Sequence, residues 1–149
     1  MAKFIGVKMI EAVPMRASMA LSAGYKIGNA HPDDMGYEVT YPDGYKSWSP
    51  AKEFEKAYYK LEDPTGDTLR KDDIKRFISN IESIKVGTKT TNTTLTCLTG
   101  FEVHGQAACV KPENFDLNVG ATYAQIKAED KIWEGLGFVL QWAKYGLKK

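Results

Sequence analysis

Glu102 and His104 stand two residues apart in "GFEVHGQAACV", so on an extended strand both side chains leave the same face. An imidazole beside a carboxylate is the pairing that general acid-base chemistry uses. The same residues also describe a strand's solvated face, where a cross-strand-paired histidine is the commoner occupant. The other acidic residues do not add a dyad, because Glu113, Asp116, Glu129 and Asp130 fall where helix caps and helix-surface charges are needed. Cys97 and Cys109 have no CxxC partner and, with only His31 and His104 beside them, make no convincing zinc set. A reduced pair is favoured over a disulfide. No P-loop, dinucleotide fingerprint, HExxH, GxSxG or deaminase motif occurs, and the Gly-containing "GLGF" follows no strand that would cradle a phosphate. The chain is therefore expected to carry no catalytic residue, metal or cofactor and to be no enzyme.

What remains is chemistry for binding. Phe115, Tyr123, Trp133 and Trp142 offer faces for stacking, and Asn114, Gln125 and Gln141 offer amide donors and acceptors. Aromatic faces with amides suit a purine, which stacks on one and hydrogen-bonds along its ring edge to the other. Phe115 and Trp133 serve equally well as core residues, and the amides as loop and helix-end ties. Both readings stand at this point.

Several elements must position these groups. "KFIGVKMIEAVPM" reads as a strand, and "GYEVTYPDGYKSWSP" as a hairpin closed at Pro42-Asp43-Gly44, with Tyr37, Val39 and Tyr41 on one face. Ser49-Pro50 marks a helix start, the hydroxyl as N-cap and the proline at the first helical position, followed by the stripe Phe54, Ala57, Tyr58 and Leu61. "EDPTGD" is a polar Pro/Gly stretch suited to a boundary, which divides the chain into a module over 1–62 and a domain over 68–149.

In the second part, Leu69, Ile74, Phe77, Ile78, Ile81 and Ile84 predict an amphipathic helix that ends before Gly87, with Arg70, Lys71, Lys75 and Arg76 on its basic side. The Thr-rich run to Cys109 splits at Thr99-Gly100 into a hairpin. Pro112 ends it, and a helix begins near Leu117, capped by Asp116 or Asn118. At about 100° per residue Val119, Tyr123, Ile126 and Trp133 share one side and Ala121, Ala124, Ala128 and Ile132 the other, so the helix has two apolar faces. The second cover would be another subunit, with the alanines permitting close helix-helix approach. "GFVLQWAKYGLKK" is expected to restart as a short piece after Gly135 and Gly137. The fold class is α+β: antiparallel β-hairpins with packed helices, a small N-terminal module and a C-terminal helix-hairpin-helix domain.

The 149 residues are 43% hydrophobic, enough for one or two modest cores. Twenty basic against nineteen acidic residues argue against a general binder of nucleic-acid polymers or membrane surfaces. Lys8 and Glu11 interrupt the N-terminal apolar run before it could form a signal or a membrane span, so a cytoplasmic protein is expected.

"TLTCLTGFEVHGQAACVKPENFD", with the later "KIWEGLGFVL", resembles a family of small phage proteins that includes the Thoeris anti-defence protein one. Its pattern is a strand pair with a G-F turn, then G-x-x-A-C-V-x-P-x-N-F-D, an alanine-containing helix and W-x-x-x-G-Y/F-x-L. The resemblance spans about 94–141. It implies a sponge that binds cyclic ADP-ribose isomers made by bacterial TIR-domain enzymes, some members also holding cyclic oligonucleotides of CBASS defence, in dimers that assemble further, up to hexamers. "VKMIEAVPM" and the hairpin after it resemble a module that phages place before several small domains, a likeness of architecture alone.

The P-x-N-F loop is present as Pro112, Asn114 and Phe115, and the resemblance implies an aromatic ring near the ligand's base, for which Phe115 is the first candidate. Members often carry Arg or Lys in the last helix and near the terminal segment. Here Gln125, Gln141 and Trp142 occupy that region, and Lys127, Lys131 and Lys144 supply only point charges for phosphate. The candidate ligand set is Phe115, Asn114, Gln125, Lys131, Gln141 and Phe101. The expected function is sequestration of a cyclic nucleotide immune signal in the host cytoplasm, without turnover. The alternative is a protein-protein inhibitor of a defence complex such as CRISPR, acting through the basic face around Arg70–Arg76 or through the N-terminal module.

Overall fold

The computed structural model describes residues 1–149 and is α+β, with two three-stranded antiparallel sheets and a long C-terminal helix. The chain divides into two compact units, Met1–Lys60 with Trp142–Lys149, and Leu61–Gln141.

In the first unit, strands β1 (Glu11–Pro14), β2 (Gly36–Thr40) and β3 (Lys46–Pro50) pair in that order, with short helices α1 (Ala17–Ser22) and α2 (Ala51–Ala57). The Pro42-Asp43-Gly44 turn closes the β2–β3 hairpin as the sequence predicts: Gly44 takes φ +89 and donates its N–H to Tyr41 O, 2.8 Å away. Trp48 is the centre of the core, packed with Ala17 and Ala20, and its indole N–H donates to Met15 O at 2.8 Å. Its ring lies on Gly36, where an added Cβ would come within 2.3 Å of the indole.

Two expectations change here. The N-terminal strand is confined to Glu11–Pro14, and α1 occupies part of the stretch read as loop. Helix α2 starts one residue later than predicted, because Pro50 still pairs with Gly36, and the Ser49 hydroxyl donates to Pro50 O at 3.3 Å instead of capping. It also ends at Ala57, with Tyr58 already extended, so Leu61 lies outside the stripe.

The second unit opens with a loop organised around one carboxylate. Asp63 accepts hydrogen bonds from the N–H and hydroxyl of Thr65 (3.0 and 2.7 Å), from the N–H and hydroxyl of Thr68 (3.0 and 2.9 Å) and from Asp67 N (3.3 Å). These bonds, the Thr65 hydroxyl foremost, hold its pKa well below the usual carboxylate range. Asp73 does similar work for α3 (Lys71–Arg76), accepting from Arg70 N at 2.7 Å and Glu62 N at 2.9 Å.

The predicted helix over Leu69–Ile84 is corrected. It stops at Arg76, and Ile78–Val86 form strand β4, paired with β5 (Thr90–Cys97), which pairs in turn with β6 (Glu102–Ala108). The apolar spacing fits a helix, but Ile78, Ile81, Ile84 and Val86 are β-branched, and a Thr-rich strand beside them supplies a ladder whose register shifts only between Ile78 and Asn80. Gly87 is accordingly a hairpin-turn residue with φ +68 rather than a helix cap. The C-terminal domain is thus a short helix, a three-stranded meander and a long helix.

That long helix, α4, runs without a break from Leu117 to Tyr145, and the expected restart after Gly137 does not occur. A glycine inside a helix costs about 1 kcal/mol, too little to break one whose neighbours propagate it. The stop comes at Gly146, with φ +65 and its N–H donating to Trp142 O at 2.8 Å. Asp116 is the N-cap, its Oδ1 accepting from Asn118 N at 2.9 Å and Val119 N at 3.3 Å.

Helix α4 lies on one face of the meander. Thr91, Thr93, Leu95 and Cys97 alternate inward along β5, and Ala128 and Ile132 meet Ile74, Leu95 and Cys97 in one core. The alanine stripe therefore packs against the chain's own sheet rather than another helix. Contact is close enough that a Cβ on Gly105 would lie 2.1 Å from Ala124 O, and one on Gly120 would lie 2.0 Å from Thr91 Oγ1. Both cysteines are free thiols. Cys97 is buried, which raises its pKa, and Cys109 is half-buried, its thiol donating to Lys111 O at 3.1 Å.

Candidate functional site

Two places in the second unit combine the residue types a nucleotide requires, and they lie at opposite edges of the sheet. The first is at β4. Phe115 follows the 3-10 turn Pro112–Asn114, which closes through Asn114 N to Lys111 O (3.0 Å) and Phe115 N to Pro112 O (3.1 Å). Its ring is half-buried, and Lys85 Nζ sits over it, 4.7 Å from the centroid. Asn114 is exposed beside it. An aromatic face with an ammonium on it can take a base and a phosphate together, the base stacking and the lysine moving to the anion.

The second is a groove at β6, the other edge strand. His104, Gly105 and Gln106 form one wall and Lys127 and Lys131 the other, around an open cavity of about 340 Å³. The lysines are four residues apart on α4, so both ammonium groups leave the same side of the helix. Gly105 makes this possible, because its missing side chain lets the strand lie against the α4 backbone. Two cations beside the free edge of a strand suit a phosphate ester, whereas the His104 and Gln106 side chains alternate with the inward Gly105 and lie with Thr94 and Asn92 on the sheet's other face. His104 Nδ1 lies 2.9 Å from the hydroxyl of Thr94, its cross-strand neighbour, in a network continued by Asn92 and Gln106 (Gln106 Nε2 to Asn92 Oδ1, 3.4 Å).

Of the six predicted ligand residues, Asn114 and Phe115 come together at the first place and Lys131 lies at the second. Gln125 is half-buried on the flank of α4 that carries Glu129, away from the groove lysines. Phe101 is 71% exposed at the β5–β6 turn, the far end of the strands from Phe115. Gln141 is exposed on the last part of α4. Sequence reasoning misses Lys85 because the apolar spacing predicts a helix over its segment; the β-branched run around it is the available signal. Gln106 was visible only as a polar position in an alternating strand.

The basic face expected over Arg70–Arg76 is largely neutralised. Arg76 pairs with Asp73 at 3.0 Å and Glu62 at 3.3 Å, Arg70 lies 3.9 Å from Asp63, and Lys75 donates to the nearly buried Glu129. No helix is long and apolar enough to cross a membrane.

The open side of α4 carries Val119, Tyr123, Ile126 and Trp133, between 38% and 59% exposed. It is an exposed apolar stripe interrupted by Asp130, which falls on the same side of the helix between Ile126 and Trp133.

Residues 69–143, half of the chain, match the family model described as Phage protein (N4 Gp49/phage Sf6 gene 66). The match begins just before α3 and takes in the meander and nearly all of α4. No curated protein and no solved structure matches the chain.

Proposed function

From the premise that the chain belongs to the Phage protein (N4 Gp49/phage Sf6 gene 66) family, we propose that it sequesters a cyclic nucleotide immune signal of the host, a cyclic ADP-ribose isomer or a cyclic oligonucleotide, without cleaving it. The observation that carries the reading is the pairing of a lysine-capped aromatic ring at Phe115 with a groove that aligns Lys127 and Lys131 against a strand edge. One offers stacking, the other phosphate charge. Sequestration needs affinity without complementarity to a transition state, so acid-base residues are not required of it.

Roughly 1.5 Å of rise per residue separates Leu117 from Lys131 by about 21 Å along α4, beyond the reach of one compact nucleotide. Both places serve a single ligand only if two copies contribute them. An antiparallel pairing of α4 helices through the Val119–Trp133 stripe would bring Phe115 of one protomer toward Lys131 of its partner. The proposed active form is therefore a homodimer, further assembled up to a hexamer, acting in the host cytoplasm and binding neither membrane nor nucleic-acid polymer.

Incubation with cyclic ADP-ribose isomers, followed by heat denaturation and assay of the supernatant, tests the reading. The expected outcome is signal depleted before heating and intact afterwards. Degraded signal would replace the sponge with an enzyme, and signal never depleted would rule out capture of these isomers. Phe115→Ala is expected to weaken capture by about five- to 150-fold with little change in Tm, since the loss of one base stack is worth about 1–3 kcal/mol.

A further inference from the structure

The N-terminal unit carries a cavity that none of the preceding chemistry uses. At the tip of the β2–β3 hairpin, Tyr41, Pro42, Asp43 and Tyr45, with Lys8, line an open hollow of about 450 Å³. The two tyrosine rings stack with centroids 5.9 Å apart and planes 27° apart, and Tyr45 is 65% exposed. The turn holds them still: Tyr41 N donates to Tyr45 O at 2.9 Å, and Tyr45 N to Asp43 Oδ1 at 2.9 Å. That second bond also fixes a carboxylate on the rim.

The cavity already contains a cation. Lys8 Nζ lies 4.8 Å from the centroid of the Tyr41 ring. Lys8 comes from the segment Met1–Ile10, which has no helix or strand before β1, so no backbone ladder ties it there. Aromatic faces beside a carboxylate attract a cation and repel a phosphate, the reverse of the Lys127–Lys131 groove.

We propose that this hairpin tip is a docking pocket for an arginine or lysine side chain of a protein partner, and that Lys8 occupies it in the free chain as a displaceable stand-in. A guanidinium would fit better than Lys8's ammonium, since its plane stacks on a tyrosine while its N–H groups reach Asp43. The partner is a protein presenting an exposed basic side chain, and removal of Lys8 opens the pocket to it.

The probe is N-acetylargininamide, titrated into the full chain with the ring resonances of Tyr41 and Tyr45 followed by NMR. Saturable shifts of both rings are expected. Lys8→Ala should tighten binding by about threefold, the scale of one exposed cation-π contact, and Tyr41→Leu should abolish it. Unchanged Trp48 fluorescence would show that Tyr41→Leu keeps its fold, and Asp43→Asn, which retains the turn acceptor, should independently weaken binding. Absence of ring shifts in the Lys8→Ala protein would overturn the proposal, as would equal affinity in the parent and Lys8→Ala chains. Stronger shifts with AMP than with the arginine probe would also overturn it, making the tip a base platform.

Discussion

Asp63 shows how one side chain can organise a loop. Its carboxylate accepts five hydrogen bonds within six residues, two of them from hydroxyls, and Arg70 stands nearby. Because these partners favour the ionised form, the folded-state pKa lies below the unfolded value, ordinarily about 4. The stability it contributes is complete above that value and is lost as pH falls from about 4 toward the folded pKa. Asp63→Asn should therefore lower Tm at neutral pH by several degrees, with the gap closing progressively in melts below about pH 4. A pH-independent gap would mean that the side chain acts through shape alone. Thr91 is the opposite case. Its hydroxyl is buried against Gly120 and has no hydrogen-bond partner, so Thr91→Val should stabilise the protein by about 1 kcal/mol in denaturant titration.

At the scale of elements, the contrast between glycines decides what α4 does. Gly135 and Gly137 face open space within the helix, and Gly→Ala at each should add about 0.5–1 kcal/mol by reducing unfolded-chain freedom. Gly105→Ala places a methyl against the backbone of Ala124 and Ala128, which cannot yield, and should cost about 3 kcal/mol or more. Chemical denaturation of the three variants reads both signs. The same helix shows how far the sequence could be read. Its start near Leu117, a cap at Asp116 or Asn118 and its two apolar faces were legible, because capping chemistry and a 3.6-residue period are local; the structure chooses Asp116. Its length was not, since two helix-weakening glycines look like an interruption until the hydrogen-bonded neighbours on both sides are counted. Strand β4 was missed for a different reason: apolar residues spaced at 74, 77, 78, 81 and 84 satisfy a helix, and the β-branched Ile78, Ile81, Ile84 and Val86 outweigh that spacing only once β5 pairs with them. That error hid Lys85, which stands over the Phe115 ring, whereas Asn114 and Phe115 are candidates on their amide and aromatic side chains and on the P-x-N-F resemblance.

For the whole molecule, the unresolved contact is the open stripe of α4. Val119, Tyr123, Ile126 and Trp133 project apolar side chains over four turns, with the exposed Asp130 between the last two, on a helix whose opposite face is already covered by its own sheet. If two copies cover that row, light scattering after size exclusion should give a mass of at least two chains, and Ile126→Asp should shift it toward one. A second carboxylate one turn from Asp130 adds like-charge repulsion in such a seam but is tolerated on a free surface. Far-UV circular dichroism and Tm should stay near those of the parent, because Ile126 is about half exposed in the single chain. The decisive reading is capture itself. Ile126→Asp leaves Phe115, Lys127 and Lys131 untouched, so a monomeric variant that still depletes cyclic ADP-ribose isomers would show that each place binds alone. Loss of capture together with loss of the dimer would instead mean that one protomer supplies the ring and its partner the lysines, with the apolar stripe setting the distance between them.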